Sequence, residues 1–241
     1  MSANNVNMAT KGTIRHSFDK KSLSYAKNCS LQNEVATILL DFCESWHYKK
    51  IIDLGAGSGN VALNLAHSVD FLLGIDNAPN MLALHPRKLP HIAQIRLIVG
   101  DFESYDFSDD FDLILSSSSL QWAKNLDLLF KRLKDLFESS HKKFAFAIFT
   151  SESLRELHAF LGTASPLKSS SEILAIAQKY FCIESKIQHF KREFSTRDEL
   201  LVYLKNSALL GGGNLAFRDK KRLKCAFTHT ALNFEVLFIK N

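Results

Sequence analysis

No apolar run in this 241-residue chain is long enough to span a bilayer, and the polar start Met1-Ser2-Ala3-Asn4-Asn5 lacks the hydrophobic stretch of a secretory signal. Both absences lead us to expect a cytoplasmic chain with no membrane partner. Cysteine is scarce: Cys29, Cys43, Cys182 and Cys225 have no paired spacing suited to zinc or redox chemistry, so reduced and mostly buried thiols are expected. The nine histidines are scattered without a metal-ligand motif, and no metal site is expected. No internal repeat, low-complexity tract or RNA-binding module is visible, and no basic patch is interleaved with aromatics, so nucleic acid is not expected as a partner. Charge is modestly one-sided. A formal charge of +5 and a pI near 9.0 favour an anionic partner, with the densest basic stretches at Lys191-Arg192 and at Lys220-Lys221-Arg222 with Lys224.

Against these absences stands one concentrated signal, Ile51-Ile52-Asp53-Leu54-Gly55-Ala56-Gly57-Ser58-Gly59. An apolar strand runs into a turn with three alternate glycines, which permit positive φ and close backbone approach to a ligand. A dinucleotide fingerprint needs its third glycine at position 60, where Asn60 stands; a P-loop needs a Gly-Lys-Ser/Thr sequence, and no such lysine follows. Asp53 would repel phosphate oxygens but attract a cationic amino-acid moiety. The ammonium and sulfonium of S-adenosylmethionine fit that requirement, and the loop resembles motif I of class I methyltransferases.

Further markers follow in order. Phe71–Asp76 is a buried-strand pattern ending in a carboxylate about twenty residues past the loop, the position of a ribose-diol ligand. A helix starting over Asn77–Leu82 brings Met81 either to the adenosine face or into plain core. A third strand, Ile95–Val99, precedes Asp101 and Phe102, similar to the acidic-hydrophobic pair that meets adenine in methyltransferases. A fourth, Phe111–Ser116, ends in four consecutive serines before Leu120-Gln121-Trp122. Ligands of open α/β sheets bind at such carboxyl ends, which makes Ser116 a cofactor candidate and Gln121 and Trp122 pocket candidates. The Asn/Asp-Pro-Pro-aromatic sequence usual in enzymes that methylate adenine or amide nitrogens is missing here, so an oxygen or carbon acceptor is expected.

Organisation follows the hydrophobic period. Leu31, Val35, Ile38, Leu39 and Phe42 predict an amphipathic helix over 31–44, and Leu126, Leu129, Phe130, Leu133, Leu136 and Phe137 predict another. A fifth strand is expected at 143–150, a helix at 171–180, a strand at 182–190, a helix at 196–206, a flexible break at Gly211-Gly212-Gly213 and a terminal strand at 232–239. The expected architecture is α/β and Rossmann-like: a seven-stranded, mostly parallel sheet with an antiparallel last strand. One domain spans 1–241, with a helical N-terminal cover at about 10–46, a cofactor core at about 47–150, a lid and substrate region at about 151–215, and the terminal strand at about 231–239.

A narrower likeness spans nearly the whole chain. Ile14, Phe18, Tyr25 and Leu31-Gln32, then Leu120-Gln121-Trp122, Ser153-Leu154 with Glu156-Leu157-His158, and Leu204-Lys205 together resemble the malonyl-[acyl-carrier protein] O-methyltransferases of biotin synthesis. Departures are Ala56 and Ser58 within motif I, Arg155 where Pro is frequent, Phe234 where Tyr is usual, and a differently spaced glycine-rich tail. The resemblance implies S-adenosylmethionine as cofactor, bound by Asp53, Gly55, Gly57, Gly59, Asp76, Met81, Asp101, Phe102 and Ser116. It further implies a malonyl thioester on acyl carrier protein, or malonyl-CoA, as partner. Tyr25 would then meet the acceptor carboxylate or close over the cofactor, and Lys205 or Arg155 would orient the carboxylate; each also reads as an ordinary packed or solvent-facing side chain. Gln32 most simply braces the covering helix. Two other readings stay open: methylation of another small acid or quinone-type metabolite, and a noncatalytic regulator that binds S-adenosylmethionine.

Overall fold

The structure, a computed structural model, describes residues 29–43, 46–107, 111–137, 142–206 and 217–241, with His16, Asp19 and Ser22. Seven strands form one sheet in the order β3-β2-β1-β4-β5-β7-β6. They are β1 (Lys50–Leu54), β2 (Val69–Asp76), β3 (Ile92–Val99), β4 (Leu113–Ser117), β5 (Lys143–Phe149), β6 (Glu184–Glu193) and β7 (Ala231–Lys240). The first five are parallel, and β7 runs antiparallel between β5 and β6. The chain reverses its lateral direction after β3, crossing to β4 beside β1. This switch opens a crevice at the carboxyl ends of β1 and β4.

Side-chain alternation along the strands sorts the core into two layers. Ile51, Leu113, Leu115, Ala145, Ala147, Val236 and Phe238 face one layer, built with helix α1 (Ser30–Phe42) through Leu31, Val35 and Leu39. Ile52, Leu54, Ile114, Phe144, Phe146, Ile148 and Leu237 face the other, against Leu129, Phe130 and Leu133. Asp53 has the parity of Ile51 and therefore faces the α1 side. Ser117 shares the parity of Leu113 and Leu115 and faces that side too.

The helix after the glycine turn, α2 (Asn60–Asn64), is short, and α3 (Pro79–Leu82) is a single turn with proline in its first turn. α4 (Leu126–Phe137) carries the expected apolar stripe. Asn125 Oδ1 accepts from Leu128 N at 3.0 Å, closing its first turn, while the Glu103 carboxylate accepts from the Lys124 and Asn125 amides at 3.0 and 2.8 Å. Two further helices follow β5. α5 (Arg155–Leu161) ends at Gly162 in the left-handed region, and α6 (Ser170–Ala177) starts with a capping box between Ser169 and Glu172.

The helix expected at 196–206 is α7 (Arg197–Asn206), and Gly211–Gly213 lie outside the described residues. Sequence periodicity misses α8 (Phe217–Ala226) because its charged run hides a narrow seam: Leu223, with Phe227 just beyond, is buried, and the Phe227 ring meets Phe160 of α5 at 5.1 Å. The cysteines need correction. Cys43 is buried, but Cys182 lies exposed in the turn before β6 and Cys225 exposed on α8, because both fall where the chain presents its polar side. No helix among the described residues is long and apolar enough to cross a membrane.

Candidate active site

At the carboxyl ends of β1, β2 and β4 the turns surround a crevice lined by Gln32, Asp53, Gly57, Asp76, Met81, Phe102, Ser117–Ser119 and Trp122, among others. Its floor is the glycine turn. Gly55, Gly57 and Gly59 all have positive φ, and the amides of Gly55 and Ala56 both donate to Ile75 O, binding the turn to the end of β2. A Cβ on Gly55 would lie 2.0 Å from Ser119 Oγ, so glycine here lets the β4 serine turn press against the loop. Ser119 Oγ in turn donates to Gly55 O at 3.1 Å.

Asp53 is 1% exposed, and neither carboxylate oxygen has a hydrogen-bond partner. Burial, followed by the repulsion of Asp76, pushes its carboxyl up to about 8. A buried carboxylate without donors is costly unless a positive group completes it. Asp76 is better supplied: it accepts from Gly57 N at 3.0 Å and from Ala78 N at 2.8 Å, which partly offsets the burial that raises its carboxyl above the ordinary range. Its further acceptor capacity suits a pair of hydroxyls.

Met81 and Phe102 supply the apolar wall. Met81 Cε would sit 3.4 Å from a Cβ on Gly57, so α3 reaches over the glycine turn. Phe102 is held by its own loop, since Arg132 of α4 donates to the carbonyls of both Glu103 and Tyr105. The chemistry of this set matches S-adenosylmethionine: Asp53 would meet the cationic amino-acid end, Asp76 the ribose diol, and Met81 with Phe102 the adenine faces.

Not every expected residue lies in the crevice. Ser116 has the opposite strand parity; fully buried, its Oγ donates to Leu54 O at 2.7 Å and ties β4 to β1, while Ser117, Ser118 and Ser119 line the crevice instead. Gly59 starts α2 and packs against His85 and Pro86, where a Cβ would approach within 2.8 Å of the proline ring. Asp101 Oδ1 accepts from Glu103 N at 3.0 Å, shaping the turn that presents Phe102. Gln121 stands behind the lining and donates to Ser118 O at 2.7 Å.

Arg155 is on the surface, its side chain 75% exposed and 3.5 Å from Glu152, because α5 packs on β7 through Leu157 and Leu161 and turns Arg155 outward. Among the described residues none of 151–206 lines the crevice. Tyr25 lies outside the described residues, as does the side chain of Lys205. Gln32 is the residue that sequence reasoning undervalued: it is 4% exposed on α1, lines the crevice, and has an unpartnered Oε1. The available signal was a polar residue inside the apolar stripe of a covering helix.

Fold and crevice together define a nucleoside-cofactor protein whose strand order ends in the 5-7-6 arrangement with an antiparallel β7. Comparison with known proteins agrees. A methyltransferase-domain family model matches residues 51–139. The chain is 32% identical over 149 residues to the malonyl-[acyl-carrier protein] O-methyltransferase of Halorhodospira halophila, covering 60% of this chain and 50% of that one. It is 27% identical over 208 residues to the enzyme of that name from Bacteroides thetaiotaomicron, covering 83% and 78%. The chain thus spans half the length of the Halorhodospira relative and more of the Bacteroides one.

Among solved structures, the YcgJ protein of Bacillus subtilis superposes with a TM-score of 0.60 at 15% identity, covering 86% of this chain and 97% of its own. Haemonchus contortus phosphoethanolamine N-methyltransferase 2 in complex with S-adenosyl-L-methionine gives 0.55 at 18% identity, covering 94% and 59%. Residues 51–139 thus match a methyltransferase domain, set in the α/β Rossmann-like methyltransferase fold, and that domain implies S-adenosylmethionine as methyl donor.

Proposed function

We propose that the chain methylates the free carboxylate of a malonyl thioester carried on acyl carrier protein, or on coenzyme A, at the start of a biotin-type synthesis. One observation carries the carboxylate reading: the ionisable side chains among the described lining residues are Asp53 and Asp76, and both are matched to the cofactor. A phenol or quinol acceptor needs a base, whereas a carboxylate is ionised at neutral pH and needs none. The names of the curated relatives point to the same acceptor.

When bound, the cofactor supplies a methyl group on a cationic sulfur. The chain's own residues then have three tasks. Asp53 holds the cationic end in a dry site; Asp76, Met81 and Phe102 fix the nucleoside; Trp122 walls the acceptor side. Alignment of this kind supplies an effective molarity worth about 7 to 11 kcal/mol. Tyr25, from the N-terminal cover, donates a hydrogen bond to the acceptor carboxylate, and Lys205 orients it; a Tyr25→Phe variant with full activity removes the first role, and Lys205→Gln with unchanged KM the second. A net charge of +5 suits an acidic carrier protein.

The test is direct. Purified protein with S-adenosylmethionine is offered malonyl carrier protein, malonyl-CoA, free small acids and a hydroquinone, with products read by mass spectrometry. Methylation of the malonyl thioester is expected. Exclusive methylation of the hydroquinone, or cofactor binding with no turnover of any acceptor, overturns the assignment.

A further inference from the structure

We propose that Ser117 and Ser118 form the subsite that holds the acceptor's oxygens, a cradle of neutral hydroxyl donors. It deepens the carboxylate reading above and rests on it only for the identity of the acceptor. Both residues line the crevice that contains Asp53, and both hydroxyls are buried without a partner. Native structures satisfy nearly all buried polar groups, so two adjacent orphaned hydroxyls in a ligand crevice indicate a missing partner.

Ser118 provides a second, independent observation. Its φ of 62 is left-handed, a conformation adopted by one other non-glycine residue among those described, Leu154. The conformation is enforced from both sides: Ser118 N donates to Ala147 O at 2.9 Å, and Ser118 O accepts from Gln121 Nε2 at 2.7 Å. Ser119 completes the clamp by its bond to Gly55 O. Strain held this way at a crevice places a group where the unstrained chain would not. Gln121 is thus a positioning residue for Ser118, and the turn order Ser117-Ser118-Ser119 separates the tasks: two hydroxyls for the acceptor, one to lock the glycine turn.

The electrostatics agree with hydroxyls as the donors. No lysine, arginine or histidine is among the described lining residues, while two carboxylates are. As the anionic acceptor oxygen bonds to the methyl carbon, the carbon–sulfur bond breaks and its electron pair returns to the sulfur, so both charges vanish in one step. Among the described lining residues, fixed hydroxyl dipoles are the donors available to orient that oxygen.

The experiment measures malonyl-CoA binding by calorimetry to protein saturated with S-adenosylhomocysteine, with hydroquinone as a neutral oxygen acceptor, in wild type, Ser117→Ala and Ser118→Gly. Glycine relieves the left-handed strain, so loss of folding does not explain a loss of binding. The expected result is acceptor affinity weakened roughly tenfold or more in either variant, with S-adenosylhomocysteine affinity within about twofold of wild type. Unchanged acceptor affinity in both variants overturns the proposal, as does an equal loss for acceptor and nucleoside, or wild-type protein that binds neither acceptor. If wild type binds hydroquinone and rejects malonyl-CoA, and Ser118→Gly weakens the hydroquinone, the subsite stands and the malonyl reading falls.

Discussion

Asp53 and Asp76 stand near the ends of adjacent parallel strands and face one crevice, where burial first and then the charge on Asp76 raise the carboxyl of Asp53. Burial makes each position costly on its own. Together they make a cavity that is electrostatically incomplete until a cation enters, a site that selects its ligand by charge as well as by shape.

The first prediction concerns pH. Asp53 titrates near 8 in the folded protein against an ordinary 3.8, so between those values the folded state binds more protons than the unfolded one. Its contribution to stability is full below about pH 4 and is lost as pH rises through 8. S-adenosylmethionine needs the ionised form. Its affinity should therefore rise with pH toward 8, and calorimetry in buffers of different ionisation heat should register proton release on binding. Asp53→Asn should flatten both trends, weaken the cofactor by a factor on the order of 100, and raise the ligand-free Tm at pH 8 by about 2–4 °C.

A second prediction tests the clamp between the two turns. Gly55→Ala places Cβ 2.0 Å from Ser119 Oγ and 2.3 Å from Ser119 Cβ, at a φ of +76. The variant should lose cofactor binding and more than about 1 kcal/mol of stability in urea titration. Adding Ser119→Gly removes the collision but leaves the strained backbone, so it should restore part of the stability.

Arg155 gives a third. Its exposed pairing with Glu152 is of the kind worth about 0–1 kcal/mol, and it stands away from the crevice. Arg155→Ala should keep Tm within about 2 °C and leave the acceptor KM unchanged. A rise in KM would return Arg155 to the substrate site.

The fourth concerns the junction between β5 and β7. Thr150 Oγ1 donates to Glu235 Oε1 at 2.7 Å, and Ser153 Oγ exchanges bonds with the Glu235 backbone at 3.0 and 3.1 Å. Thr150→Val leaves a buried carboxylate short of a donor and should cost about 1–3 kcal/mol, a drop in Tm of about 2–12 °C. Because replacing both partners by apolar groups is cheaper, Thr150→Val with Glu235→Leu should be less destabilised than the sum of the single variants.

The glycine turn, the carboxylate at the end of β2 and the period of the strands were legible in the sequence because each depends on local rules: positive φ favours glycine, and alternation sets what a strand buries. α8 was not legible, since its apolar seam is defined by what Phe160 of α5 offers across the fold. Ser116 illustrates the same limit. Four serines in a row are chemically alike, and only the register of β4 against β1 sends Ser116 to Leu54 and leaves Ser117 and Ser118 in the crevice.

Local chemistry in the chain by itself therefore determined the cofactor, because one carboxylate and three glycines in a single turn admit few ligands. The acceptor subsite was decided by tertiary structure. Whether a hydroxyl is spent on a carbonyl or kept for a substrate depends on strand parity, on the left-handed turn at Ser118, and on α1 burying Gln32 above the same crevice. Those are properties of packed neighbours, and sequence spacing does not carry them.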